Sequence, residues 1–345
     1  MSDKKKKKKN GAERASPSAA ASGSPGKDSP VSRGEARSWS GLVGAGSGER
    51  ADKYIADIAG ILSRSQIKAR SARIFVNGKE EKLSRRLSPG DRVEVSWTDE
   101  PSHSLEPEKL DVEVLYEDEN VFVFNKAQGM VTHPANGNWR GTLANAALWL
   151  DADRKGGSSA PRGGIVHRLD KDTSGVIIVA RNSETHEFLA AQFKNRSTRK
   201  EYWAFVCGSP AGETGHIDNY LTRDKFNRKK FAGDESRGKR AITDYRVLAR
   251  WSIEDRRSYA LVALFPKTGR THQLRVHMAG LGCPILGDPL YAKGDFFFPE
   301  AGLMLHARRL RIALPGTSEP KVFKAPLPER FRAMAAILEK RGRRL

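Results

Sequence analysis

Apolar and polar residues alternate along this chain with two distinct periods, and the switches between them outline the elements. Tyr54, Ile55, Ile58, Ile61 and Leu62 recur at the spacing of one helix face, which predicts an amphipathic helix. Ser63 followed three residues later by Gln66 is a capping-box pattern and predicts a second short helix, with Arg64 and Lys68 as i,i+4 neighbours presenting two cations on one face. The run Arg73-Ile74-Phe75-Val76 then meets Asn77-Gly78. That pair marks a hairpin turn, because both turn positions want positive φ. Pro89-Gly90-Asp91 marks another turn, and Arg92-Val93-Glu94-Val95 alternates strictly, as a half-buried strand does.

Further along, Val112, Val114 and Leu115 lead into a turn at Glu117–Asn120, apolar runs at Val121–Phe124, Val176–Val179 and Leu261–Leu264 predict buried strands, and Tyr202–Val206 is another strand candidate. Helical patterns are fewer: Leu143–Leu150, Glu184–Phe193 and Pro328–Lys340. Strands in groups with occasional helices predict an α+β fold rather than a doubly wound sheet. There is no internal repeat and no glycine-rich nucleotide fingerprint.

Residues 1–48 stand apart from this patterning. They are Lys, Ser, Gly, Ala and Pro with almost no large apolar side chains, and hold ten Lys/Arg against four Asp/Glu. Such a segment buries too little surface to offset its ordering entropy, so a disordered basic arm is expected, either a plain solvated tail or a source of sequence-independent affinity for RNA phosphates. The expected organisation is the arm at 1–48, a small helix-helix-strand module at 49–98, a linker at 99–110 and a larger domain at 111–345.

Charge narrows the partners. The 345 residues carry a formal net charge of +20, which favours a polyanion, nucleic acid or an anionic membrane surface. No apolar run approaches the ~20 residues needed to cross a bilayer, and the Lys4–Lys9 run leads into polar residues, unlike a secretory signal. The two cysteines, Cys207 and Cys283, make no disulfide framework and no structural zinc site, and fit a reducing cytoplasm.

Three segments could carry chemistry. His167, Arg168, Asp170, Lys171, Asp172, Thr173 and Ser174 form a charged loop between two apolar strands. Such a loop is a rigid mount for reactive groups, although a solvated turn has a similar composition. Lys267–His277 follows a buried strand and carries Arg270, His272, Arg275 and His277. The five-residue separation of its histidines does not suit paired metal ligands on a helix, so no metal is expected. In Lys200–Val206, Tyr202, Ala204 and Val206 share one strand face, and Tyr202 can face a cleft, as a core tyrosine or as a base-stacking platform.

Together these segments resemble the RluA-type pseudouridine synthases. The resemblance runs from about Asp111 to Arg330 and is carried by Asn125–Gly129, Val131–Pro134, Gly141–Leu143, His167–Gly175, Lys200–Tyr202, Gly238–Thr243, Thr268–His277, Pro284–Tyr291 and Leu305–Ala307. Ala127 departs from the family's usual proline. Residues 49–97 resemble the S4 RNA-binding domain through Ser63–Gln66, Arg73–Lys79 and Leu87–Asp91, with Ala72 where a glycine is common.

The resemblance implies a central mixed, mainly antiparallel sheet with flanking helices and a small S4-like α/β domain. It implies isomerisation of uridine to pseudouridine in RNA with no cofactor. Asp170 would be the essential carboxylate, Arg275 its ion-pair partner and Tyr202 the ring stacked on the target base. Arg168 would help hold the flipped nucleotide or occupy its vacated place, His167 and Arg270 would contact the substrate RNA, and Arg64, Lys68 and Arg73 would contact RNA from the small domain. The implied substrate is large-subunit ribosomal RNA of the 23S type, ahead of transfer RNA. A non-catalytic RNA-binding protein is the rival reading. A cytoplasmic monomer without a protein partner is expected.

Overall fold

The structure is a computed structural model that describes residues 36–345, apart from 46–47, 99–104, 136, 156–159, 225, 254–256 and 293. The chain divides into two compact units, Met1–His103 and Ser104–Leu345.

In the first unit, strand β1 (Ala36–Leu42) precedes helix α1 (Ala51–Lys53), which continues as a π turn over Tyr54–Ile58. Helix α2 (Arg64–Ala69), β2 (Arg73–Val76), β3 (Lys79–Glu81) and β4 (Arg92–Thr98) come next, and the sheet order is β1-β4-β2-β3. The capping box forms as the sequence suggests: Gln66 Oε1 accepts from Ser63 N at 2.8 Å and Ser63 Oγ from Gln66 N at 3.3 Å. Asn77 (φ 53°) and Gly78 (φ 80°) make the expected hairpin turn between β2 and β3. The expected first helix is shorter than its apolar pattern. Helical backbone ends at Ile58, which is 57% exposed, while Ile55 and Leu62 reach the core with Ile67, Ile74, Val93 and Val95.

The arm expected over 1–48 is corrected at its end. Ala36–Leu42 pairs antiparallel with β4, Trp39 packs on the core and Val43 is buried, so two apolar side chains and a free strand edge suffice to order this stretch. Residues 1–35 lie outside the described residues.

The second unit opens with part of the expected linker. Leu105 packs against the core and Glu106 O accepts from Asn145 Nδ2 at 2.8 Å, so 105–110 are docked on this unit and do not form a free tether. Then come β5 (Glu113–Glu117), β6 (Val121–Lys126), α3 (Leu143–Lys155), a 3-10 turn (Pro161–Gly164), β7 (Ser174–Ala180), α4 (Ser183–Lys194) and β8 (Arg199–Cys207). The chain continues through β9 (Thr214–Arg223), β10 (Phe231–Asp234), β11 (Lys239–Ser252), β12 (Ser258–Pro266) and α5 (Gln273–Gly280). It ends with β13 (Leu305–Ile312), β14 (Lys321–Lys324), α6 (Glu329–Arg341) and β15 (Arg343–Arg344).

The strands form one sheet in the order β10-β9-β11-β12-β8-β13-β7-β6-β5, with β14 added to β13 and β15 to β11. Among the described strand-to-strand pairings of this sheet only β13–β7 is parallel, so the sheet is mixed and mainly antiparallel, as expected. One apolar cluster joins β6, β7, β13 and β14 to Leu143 of α3 and Leu189 of α4. The other joins β8, β11 and β12 to Leu274 and Met278 of α5 and Phe331 of α6. Tyr202 on β8 packs against both, at the centre of the sheet.

The β7–β13 crossing fixes the chain just after the charged loop. Gly175 has φ 116°, and a Cβ there would lie 2.2 Å from Ala307 O, so only glycine lets the two strands approach.

Candidate active site

The loop between the 3-10 turn and β7 is held by its backbone, which frees one side chain to project. Thr132 Oγ1 donates to Leu169 O at 2.9 Å and accepts from Leu169 N at 3.3 Å. On the other side of Asp170, Lys171 O accepts from Gly129 N at 2.9 Å and from Lys126 Nζ at 3.0 Å. Thr173 N closes a turn onto Asp170 O at 3.1 Å. Lys126 also donates to Ala127 O and Met130 O at 2.9 and 2.8 Å. Burial pushes its ammonium down to about 7. Satisfying three carbonyls at once takes the three donors of the charged form.

A cavity of about 510 Å³ opens beside this loop, lined by the loop itself, the turn from α4 into β8, and the segment from β12 into α5. Among the described residues of that lining Asp170 is the one carboxylate, set among seven Lys/Arg side chains. Arg275 Nη1 lies 3.4 Å from Asp170 Oδ2 and His272 Nε2 lies 3.9 Å from the same oxygen. Arg275 is itself fixed by a bidentate pair with Asp288, Nε–Oδ2 2.7 Å and Nη2–Oδ1 2.8 Å. Asp288 is fully buried and accepts from Leu290 N and Tyr291 N. Burial opposes its ionisation, but the Arg275 hydrogen bonds and charge outweigh burial and hold its carboxyl below the usual range. The arginine expected to pair with Asp170 thus makes its two shortest contacts elsewhere, and only one corner of its guanidinium faces the cavity.

Tyr202 lines the same cavity from β8. Burial and the nearby Asp170 charge push its phenol above the usual range, so it is held as the neutral hydroxyl. His272, at the start of α5 with φ 55°, places Nδ1 3.0 Å from Tyr291 Oη, and Tyr291 Oη accepts from Phe231 N at 2.8 Å. The loop before α5 is pinned by Gln273, whose Oε1 accepts from Thr268 Oγ1 at 2.7 Å and Arg270 N at 3.0 Å, while its Nε2 donates to Ile242 O at 2.9 Å.

Segments 166–173, 193–202 and 266–275 therefore converge on one cavity. The family described as RNA pseudouridylate synthase matches residues 120–280. The chain is 42% identical over 290 residues to ribosomal large subunit pseudouridine synthase D of Borreliella burgdorferi, covering 82% of this chain and 87% of that protein. The chain belongs to the RNA pseudouridylate synthase family. It is also 39% identical over 249 residues to the protein of the same name from Zymomonas mobilis, covering 69% of this chain and 76% of that one. A solved structure of human RNA pseudouridylate synthase domain containing 4 superposes with a TM-score of 0.53 at 28% identity, covering 66% of this chain and 93% of that one.

In this synthase the structure brings Asp170, Tyr202, Arg275, His167, Arg168 and Arg270 to one cavity. Arg168 is exposed and makes no hydrogen bond or ion pair among the described residues, so it is free to move. Arg270 is half-buried and anchors Nε on Arg240 O at 3.1 Å. His167 differs from a phosphate-binding cation. It stacks on Phe193 with centroids 4.4 Å apart, its Nε2 accepts from Ile178 N at 3.1 Å, and burial together with Lys200 pushes it down to about 3. It is a neutral ring that carries its proton on Nδ1.

Arg64, Lys68 and Arg73 belong to the first unit, on α2 and β2. Arg64 sits 3.7 Å from Asp57, and Arg73 makes a bidentate pair with Glu80 at 2.9 and 2.6 Å.

Three participants carry no individual assignment from the sequence. Asp288 and Tyr291 lie in a turn without periodicity, and nothing in their spacing ties them to Arg275. Lys200 is two residues before Tyr202 and so shares its strand face, which is a readable signal. Among the described residues its Nζ reaches only Thr268 O, at 3.4 Å, and burial together with Arg196 pushes it down to about 8.

Proposed function

We propose that this synthase isomerises uridines in structured large-subunit ribosomal RNA, with Asp170 as the carboxylate that acts on the target nucleotide. The observation that carries the reading is Asp170 as the one carboxylate among the described residues of a basic cavity, facing Arg275 and sharing that cavity with Tyr202. The relatives named for the ribosomal large subunit support that substrate over transfer RNA. In the isomerisation the N1–C1′ bond breaks, the uracil turns, C5 bonds to C1′, and the proton lost from C5 is balanced by one gained at N1. No electrons are exchanged with a partner. Asp170 serves as nucleophile at C1′ or as base on the sugar, and both roles need the carboxylate.

Tyr202 stacks on the uracil and its neutral hydroxyl stands ready to exchange a proton near C5. Arg168 holds the flipped nucleotide or fills its vacated place, which offsets part of the few kcal/mol that flipping costs. Lys200, Arg270 and the other rim cations neutralise flanking phosphates. The first unit acts as an S4-like RNA-binding domain. Its capping box, Asn-Gly hairpin and four-stranded sheet support that reading. The site of action is the cytoplasm, which agrees with the two free thiols Cys207 and Cys283.

Release of tritium from 5-tritiated uridine in large-subunit ribosomal RNA tests the assignment. Wild-type protein should release it, and Asp170→Asn should release none while still binding the RNA. Turnover by Asp170→Asn would remove Asp170 from the chemistry. Release from transfer RNA alone would replace the substrate, and no release from any RNA would leave a binding protein.

A further inference from the structure

The sheet's other face carries a second basic groove that the isomerisation does not use. β13 alternates: Leu310 and Ile312 are buried in the core, so Arg309 and Arg311 stand on the opposite face. β8 alternates in step, with Lys200 and Tyr202 towards the active-site cavity and Arg199 and Glu201 on the face of Arg309 and Arg311. The register sets Arg309 opposite Glu201, and Arg311 directly opposite Arg199. Phe265 of β12 and Asp244 of β11 extend this face, and together these residues line a groove of about 510 Å³.

The two carboxylates of the groove are already engaged. Glu201 accepts from Trp203 Nε1 at 2.8 Å and lies 3.7 Å from Arg309, while Asp244 pairs with His216 at 2.6 Å and Lys267 at 2.9 Å. Arg199 and Arg311 have no acidic partner among the described residues. Like charges directly opposite on neighbouring strands destabilise a sheet. Two arginines in that position are explained by an anion that bridges them, and their planar forks match phosphate oxygens.

The groove is continuous with the active-site cavity. Thr198, Lys200, Pro266 and Lys267 line both, at the end of the sheet where β8 begins and β12 finishes. A strand whose target nucleotide occupies the cavity must leave over some part of its rim, and this part is basic on both sides. We infer that the groove containing Arg199 and Arg311 binds the phosphate backbone of substrate RNA flanking the target nucleotide, guiding it over the sheet edge from one face to the other. The inference rests on the proposed RNA substrate and adds a second contact surface to it.

The test uses the full chain and a labelled large-subunit ribosomal RNA transcript, with affinity measured from about 50 to 300 mM salt, for Arg199→Gln, Arg311→Gln and the double variant. Each lost phosphate contact removes about 0.7 from the slope of log affinity against log salt for single-stranded RNA. The double variant should therefore lose about 1.4 in slope and bind roughly tenfold more weakly near 0.1 M salt. Its KM should rise to match, with kcat at saturating RNA unchanged. Melting temperatures should stay level or rise, because a cross-strand repulsion is removed, and this reading guards against a folding defect. Unchanged affinity and slope in all three variants would overturn the proposal and leave the groove to an acidic protein segment. A fall in kcat at unchanged KM would also overturn it. Absence of tritium release by the wild-type protein would instead be the failure of the functional reading, separable because the salt slopes are measured without turnover.

Discussion

Asp170 owes its setting in part to Asp288, which lies outside the described lining of the cavity. Asp288, buried and twice bonded to Arg275, orients a guanidinium whose remaining corner faces Asp170 at 3.4 Å. An arginine held this way resists being drawn away by RNA phosphates, because breaking a buried charged pair costs about 3–5 kcal/mol. Tyr202 is placed with equal rigidity between two apolar clusters, and its phenol is kept neutral by burial and by Asp170. Removing only the hydroxyl should separate stacking from proton transfer. Tyr202→Phe is expected to lower kcat by about 100-fold or more, the scale of a lost acid–base group, with KM nearly unchanged. Steady-state tritium release checks this, and unaltered kcat would return Tyr202 to a packing role.

At the scale of elements, the parallel contact between β7 and β13 governs where the loop bearing Asp170 ends. His306 pairs with Ser174 and Ala307 with Gly175, and Ser174 Oγ lies 2.9 Å from His306 Nδ1 and accepts from Arg330 Nη2 at 2.5 Å. Gly175→Ala puts a methyl into the Ala307 carbonyl at a backbone conformation that side chains rarely adopt. The expected loss is about 2–4 kcal/mol of stability, from strain and overpacking together. Activity should fall as the loop shifts. Denaturant unfolding and tritium release on the same sample check both, and a variant with wild-type stability would refute the close approach. The short apolar strands and the three long helices were legible from their periodicity. The length of β11 and the strand character of the arginine-rich β13 were not, because both derive from pairing with neighbours that are distant in sequence.

For the whole molecule, three histidines tie stability to pH. His167 is pushed down to about 3, and His277 and His306 to about 4, burial being the largest cause in each. The unfolded chain takes up protons on these rings below about pH 6.5, whereas the folded one does not until near pH 4 or below. Unfolded protein then binds more protons, so stability is complete above pH 6.5 and falls as the pH drops towards 4. Each ring contributes a loss of ~1.4 kcal/mol per pH unit in that window. Urea unfolding at pH 7.5 and 5.5 should therefore differ by about 4 kcal/mol, and equal midpoints would show that the rings are not held neutral.

The sequence alone determined the class of fold, the basic character and the chemistry-bearing segments. Each of these depends on local pattern or on a motif contiguous in the chain. It also selected Asp170, Tyr202 and Arg275 through resemblance. Tertiary structure decided what those residues face. The pairing of Arg275 with Asp288, the neutral stacked state of His167, the place of Lys200 in the cavity and the Arg199–Arg311 opposition all arise from strand register and burial. Those quantities are set by contacts between residues up to more than a hundred positions apart, as with Asp170 and Arg275, and no local periodicity encodes them. The same register sets the arm's ordered end, where Ala36–Leu42 gains a partner in β4 that composition could not reveal.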